Sequence, residues 1–344
     1  ATPPFGPAYD PDWKPFTSPP YDTLSALDSS SSRRPHHRNR APAPDGTARA
    51  PTLRATARPS ARYLRHARQP YWGSAVTSSA VTSRALVGSW GPAPVRPRAR
   101  FDQVHVWGAH LDLPPHRVLC LARYLSPDEV RRAERLFFEA DRRRFVVARG
   151  VLRAILGRYL TLPPAELRFC YGPHGKPELA PEHGDGRLHF SLAHSYGLAL
   201  YAVTYDRLVG IDVEYMRPHL AGRAVAERFF APVEVERLAA LPEEVQGEAF
   251  FCCWTRKEAY LKARGDGLSL PIDGFYVSPS PGEGPVELCT PTYPLEAERW
   301  CLRSLEPGPG YAAAVAVEGS GWLLRHWRWT PLGRRAVRQQ GYGS

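Results

Sequence analysis

Basic charge in this chain is concentrated at one end. Residues 1–100 hold 15 Lys and Arg against 5 Asp and no Glu, whereas the other 244 residues hold 30 basic and 29 acidic side chains. The same hundred residues are rich in Pro, Ser, Ala and Arg and show no sustained period of 2 or 3.6. They can bury too little apolar surface to offset the entropy of ordering. A disordered extension over 1–100 is therefore expected, with the folded unit in the remainder and a short basic tail over 331–344. A solvated tail is the simplest reading of the extension. A nucleic-acid or partner-binding arm, an organelle transit peptide and an over-extended gene model share that composition. Near-neutral charge in the remainder removes the nucleic-acid argument for the folded part.

Apolar residues make up 43% of the chain, enough for a sizeable core. Cys120, Cys170, Cys252, Cys253, Cys289 and Cys301 form no C-x-x-C pair, so neither a zinc cluster nor a disulfide framework is expected. No apolar run nears the roughly 18 residues of a membrane span, and no signal-peptide core is evident. A soluble, cytoplasmic protein without membrane contact is expected.

Pattern changes at Val104, with an alternating stretch at His105-Val106-Trp107. Ser126-Pro127-Asp128-Glu129 then reads as a helix N-cap. A second helix is predicted over about 141–160, with Phe145, Val151, Leu152 and Ile155 in its apolar stripe. Strands follow at 167–171, 188–192, 198–204 and 208–214. Helices are predicted at about 220–230, 232–241 and 245–264, and the chain closes with strands at 274–277, 300–304, 311–317 and 322–327. Helices followed by strands thus occur twice, over 104–205 and 206–328. That order predicts an α+β fold of two similar halves, 101–205 and 206–330, with ligand between them.

Four segments carry chemistry. In Gly210-Ile211-Asp212-Val213-Glu214 the acids alternate with apolar residues, so on a strand both leave one face. Such a pair is a platform for a hard cation, and equally a strand with one solvated face. In the helix Phe251, Trp254, Glu258 and Leu261 share an apolar stripe, where a carboxylate is costly unless a cation pairs with it. Lys262 lies one turn beyond Glu258, placed to pair with it or to reach a phosphate. The chain has 41 Arg but only Lys14, Lys176, Lys257 and Lys262, so a lysine here points to a site that wants a compact ammonium. Lys176 occupies the turn Gly172-Pro173-His174-Gly175-Lys176-Pro177, expected to present an exposed ammonium to an anion. Phe190-Ser191-Leu192-Ala193-His194-Ser195 ends a strand with His194 between hydroxyls, a candidate phosphate donor; no G-x-S-x-G elbow supports a hydrolase.

Taken in order, the G-K-P turn, F-S-x-A-H-S, G-I-D-V-E and W-x-x-K-E-A-x-x-K resemble the motif series of the 4′-phosphopantetheinyl transferases of the surfactin-synthetase-activating (Sfp) type. The resemblance covers residues 104–328. It implies two α+β halves related by a pseudo-twofold axis, with coenzyme A and Mg2+ held between them, acting on apo acyl- or peptidyl-carrier proteins as a monomer. By the resemblance, Asp212, Glu214 and Glu258 are metal ligands, Glu258 activates the carrier serine, Lys262 holds the pyrophosphate, and Glu234 is a further active-site acid. His194, Lys176 and Pro177 contact coenzyme A together with Asp212, and Arg132 and Arg144 serve its 3′-phosphate end. Ala193 stands where many members have Ser, which removes one hydrogen bond. An apolar surface around Phe229, Phe230 and Leu238 would favour carriers of secondary metabolism.

Overall fold

The structure, a computed structural model, describes residues 90–217, 221–265, 270–282 and 286–331; residues 1–89 of the expected extension and 332–344 of the basic tail lie outside the described residues. In the first half the elements are β1 (Gly91–Pro92), β2 (Gln103–His110), α1 (Pro115–Ala122), α2 (Pro127–Glu134), α3 (Glu139–Leu160), β3 (Phe169–Tyr171), β4 (Pro177–Leu179), β5 (Leu188–Ser195) and β6 (Leu198–Tyr205). The second contains β7 (Val209–Tyr215), α4 (Arg223–Phe229), α5 (Pro232–Ala239), α6 (Glu243–Arg264), β8 (Tyr276–Val277), β9 (Leu288–Cys289), α7 (Pro294–Glu298), β10 (Trp300–Leu305), β11 (Tyr311–Glu318) and β12 (Leu323–Arg328). The architecture is α+β, as the pattern predicts. α1 has no counterpart in the sequence expectations, because Leu121 is its only buried residue and no stripe marks it.

One order of elements recurs in both halves: a strand, two short helices, a 22-residue helix, then two antiparallel strands. The strands pair as β2-β6-β5 in the first half and β7-β11-β10 in the second. Each long helix ends in a left-handed residue, Thr161 at φ 55° and Gly265 at φ 80°, which turns the chain back towards its sheet.

Two expected boundaries move. Folded chain begins before residue 100, since Trp90 is 2% exposed and donates its indole N–H to the Glu306 carbonyl. At the other end, β12 runs parallel to β2 in register from Leu323 opposite Gln103 to Arg328 opposite Gly108, with β1 beyond it. The last strand therefore belongs to the first half's sheet rather than to a segment 206–330. Trp327 packs edge-on against Trp107 and tilted against His105, an aromatic contact that burial favours over an exposed edge.

β5 and β7 meet side by side at the seam without pairing as a ladder. Serine hydroxyls join them: Ser191 Oγ accepts from the Ile211 N–H at 3.2 Å and Ser195 Oγ from the Tyr215 N–H at 2.9 Å. On one face of β7, Val209, Ile211 and Val213 enter the core shared with Val106, Leu200 and Ala202. The opposite face presents Gly210, Asp212 and Glu214 to α6, beside Ala316, Ala314 and Ala312 of β11. These small residues let the helix lie close to the strand.

Helix α6 is covered all round rather than along one stripe, with almost every side chain from Ala249 to Ala263 buried. Phe230 and Leu238 are buried and Phe229 half-buried against Trp254 and its neighbours. The expected apolar surface at those three residues is thus core. Among the described residues no helix is long and apolar enough to cross a membrane, and all six cysteines are free thiols.

Candidate active site

The alternation in β7 and the turn of α6 bring four charged side chains together. Lys262 Nζ donates to Asp212 Oδ1 at 2.5 Å, both groups being buried. Glu214 accepts the Ser195 hydroxyl at 2.9 Å through Oε2. Glu258 is 5% exposed and shares the Lys262 field. Lys262 therefore reaches across to the strand rather than pairing within its helix.

Three carboxyl groups around one ammonium leave this cluster short of positive charge. Burial, reinforced by Asp212, pushes Glu258 up to about 8 against the pull of Lys262. Glu214 is raised by burial and then by Asp212, with Ser195, Lys262 and Arg217 opposing; Asp212 is raised by burial against Lys262. Burial opposes the charge on Lys262, but Asp212, Glu258 and Glu214 outweigh it and hold the ammonium protonated. Asp212 Oδ2 is buried and makes no hydrogen bond.

The expected metal ligands do not stand as a coordinating set: no three His, Cys, Asp or Glu groups among the described residues are arranged to hold a metal ion. Their chemistry nonetheless suits a hard cation. The donors are all carboxylate oxygens, one is buried without a partner, and the excess negative charge is what a divalent ion offsets. Magnesium keeps waters and takes substrate phosphate, so two protein carboxylates suffice.

Beside this cluster lies a cavity of about 80 Å³ lined by Arg132, Arg149, Tyr171, Lys176, His194 and Lys262, with Pro177 also on its wall. Burial first, then Lys262, Arg132 and Arg144, pull His194 down to about 4, so at neutral pH it is an uncharged imidazole. A larger cavity of about 600 Å³ shares Lys176, Pro177 and Phe190. Lys262 lines the smaller cavity and not the larger, and none of the three acids lines either.

Three other sequence-predicted residues are engaged by protein groups. The Lys176 ammonium is not exposed: it donates to the carbonyls of Val209 at 3.2 Å and Ala263 at 3.1 Å, and burial lowers it to about 8. It ties the Gly172–Pro177 turn to the start of β7 and the end of α6. Arg144 commits its fork to Asp112, at 2.8 and 3.0 Å, and does not line the cavity. Glu234 is fully buried in a structural cluster. Its Oε2 accepts from Lys257 Nζ at 2.7 Å and the Ala231 N–H at 2.8 Å, while its Oε1 accepts from the Val277 N–H at 2.8 Å and the Cys253 thiol. That cluster caps α5 and anchors α6, and leaves Glu234 no role at the carboxylates.

Arg149, Tyr171 and the Ser195–Glu214 bond are absent from the sequence expectations. Ser195 was within reach of sequence reasoning, because Ser191 and Ser195 share a strand face. Nothing in the local sequence separates Arg149 from the other arginines of α3.

Residues 208–316 match the family model described as the 4′-phosphopantetheinyl transferase superfamily. The chain is 43% identical over 244 residues to the 4′-phosphopantetheinyl transferase HetI of Nostoc sp. (strain PCC 7120), covering 71% of this chain and 100% of that one. With the 4′-phosphopantetheinyl transferase Sfp of Bacillus subtilis (strain 168) it shares 30% over 195 residues, or 56% of this chain and 82% of the other. With the L-aminoadipate-semialdehyde dehydrogenase-phosphopantetheinyl transferase of Mus musculus it shares 25% over 214 residues, covering 58% and 69%. A relative of such identity matched from end to end carries the conclusion that the four motifs and the two-half fold already point to: the chain belongs to the 4′-phosphopantetheinyl transferase superfamily, enzymes that move the phosphopantetheine of coenzyme A to carrier proteins.

Proposed function

We propose that this protein transfers phosphopantetheine from coenzyme A to a serine of an apo acyl- or peptidyl-carrier protein in a Mg2+-dependent reaction, giving the holo carrier and adenosine 3′,5′-bisphosphate. The observation that carries the proposal is the charge-starved cluster of Asp212, Glu214, Glu258 and Lys262 against a cavity lined with basic residues. The carrier hydroxyl attacks the β-phosphorus, and the bond to the adenosine-side bridging oxygen breaks. Glu258 in its ionised form, which the Lys262 ammonium favours, receives the hydroxyl proton. Lys262, held protonated by its acidic neighbours, faces the charge that grows on the leaving group. Ser195 holds Glu214 in place through its hydroxyl. A magnesium ion held by Asp212, Glu214 and Glu258 would neutralise pyrophosphate charge in the transition state.

Intact-mass analysis of several apo carrier domains, incubated with coenzyme A and Mg2+, tests the reading. Each accepted carrier gains one phosphopantetheine, and chelation of the metal stops the reaction. Glu258→Gln is expected to cut turnover by about two to three powers of ten while leaving the unfolding midpoint in place. Near-normal turnover in that variant would remove Glu258 from the mechanism.

A further inference from the structure

Three described residues other than glycine take the left-handed backbone conformation: Thr161, Tyr196 and Asp206. Thr161 closes α3, and Asp visits that region more readily than most residues. Tyr196, at φ 55°, has no such local reason. It forms with Gly197 the two-residue turn between β5 and β6. The glycine of that turn answers a different need, because a Cβ at Gly197 would lie 2.8 Å from Asp112 Oδ2. Tyr196 is also 54% exposed, so core burial does not account for an aromatic ring there. Strain of this kind persists where the surroundings over-determine it, and it gathers at functional sites.

The surroundings hold the ring. It stacks on Tyr215 at the end of β7, with centroids 4.9 Å apart and planes at 23°, and Tyr215 meets Tyr311 of β11 edge-on at 5.2 Å. The Arg144 guanidinium, fixed by Asp112, lies 5.2 Å from the Tyr196 centroid. Arg144 and Tyr196 belong to the first half and Tyr215 and Tyr311 to the second, so the stack crosses the seam. It crosses one residue beyond Glu214. Tyr196 follows Ser195, Tyr215 follows Glu214, and the two preceding residues are joined: the Ser195 hydroxyl donates to Glu214 Oε2 and accepts from the Tyr215 N–H, both at 2.9 Å. β5 and β7 share no ladder, so the Ser195 hydroxyl has no run of strand hydrogen bonds to keep it in register. An aromatic pair across the same gap supplies that constraint.

We propose that Tyr196 is a positioning residue: by stacking on Tyr215 it holds the ends of β5 and β7 together, and so fixes the Ser195 hydroxyl that orients Glu214 for a divalent cation. The inference rests on the transferase reading. It gives the strained turn a task at the site, performed through Ser195.

The test uses the full chain as wild type, Tyr196→Asn, Tyr196→Gly and Tyr196→Phe. Asparagine and glycine suit the left-handed position without the ring, and phenylalanine keeps the ring. Mg2+ alone is titrated into the coenzyme-free protein by calorimetry. Loss of a group that supports a metal ligand weakens metal binding by about tenfold to a hundredfold. The Mg2+ dissociation constant is therefore expected to rise by that factor in Tyr196→Asn and Tyr196→Gly, with the urea midpoint kept because the turn is relieved, and to return to the wild-type value in Tyr196→Phe. A residue that serves only the fold would lower the urea midpoint and leave the Mg2+ constant unmoved. An unmoved constant in the first two variants, or no recovery with phenylalanine, overturns the proposal. Hydrogen exchange of the Tyr215 amide needs no metal and reads the seam directly. Loss of an aromatic pair is expected to speed it by about twofold to tenfold in Tyr196→Asn, and equal exchange overturns the proposal. Should the wild type bind no Mg2+ or modify no carrier, the metal or the transferase reading falls, and amide exchange alone judges the role of Tyr196.

Discussion

Gly210 is the position where a single methyl group should dismantle the site. A Cβ there would lie 2.0 Å from the Ala259 carbonyl oxygen, 2.3 Å from the Ala263 nitrogen and 2.9 Å from the Ala263 Cα, all backbone atoms of α6. Side-chain carbons do not approach closer than about 3.0 Å, so strand and helix must part by at least about 1 Å. Overpacking typically costs about 1–3 kcal/mol. With rigid backbone on the obstructing side, Gly210→Ala is expected at or above the top of that range. The same displacement carries Asp212, two residues along β7, away from Lys262, now 2.5 Å distant. Misplacement by about 1 Å costs roughly a hundredfold in rate. Urea unfolding and the carrier-modification assay measure the two effects. Because the obstruction is backbone, Ala259→Gly and Ala263→Gly are not expected to rescue the variant. A Gly210→Ala protein with wild-type midpoint and turnover, or rescue by either glycine, would refute the claim that this close approach sets the site.

Lys257→Met strands the buried Glu234 carboxylate and is expected to destabilise by about 3–5 kcal/mol, seen as a lower urea midpoint. Truncation to Trp90 should leave transferase activity intact, whereas truncation to Phe101 removes Trp90 from the core and costs about 3–5 kcal/mol; equal thermal midpoints would contradict this. Burial alone would raise Glu129, but Arg149, Arg153 and the Ser126 N–H hold it below the usual carboxylate range. A depressed folded value contributes stability above the unfolded value near about 4.3, which is lost as pH falls through the folded one. Glu129→Gln should therefore be less stable than the wild type at neutral pH, with the gap closing at about pH 4 and below, as read from urea midpoints across that range.

Much of this protein was legible from residue order alone. The two long helices, the alternation that puts Asp212 and Glu214 on one face, and the position of Glu258 and Lys262 one turn apart are consequences of periods 2 and 3.6, and each is a local property of the chain. What partner a charged side chain meets is not local. Lys262 meets Asp212, fifty residues away in sequence; Lys176 turns inward to two carbonyls; Glu234 is taken by Lys257; and Arg144 is taken by Asp112 while Arg149 faces the cavity. Sequence identified which residues carry charge where apolar neighbours make charge costly. Only the packing of α6 onto β7, permitted by Gly210 and the alanines beside it, decided which of those charges face one another and which face a ligand.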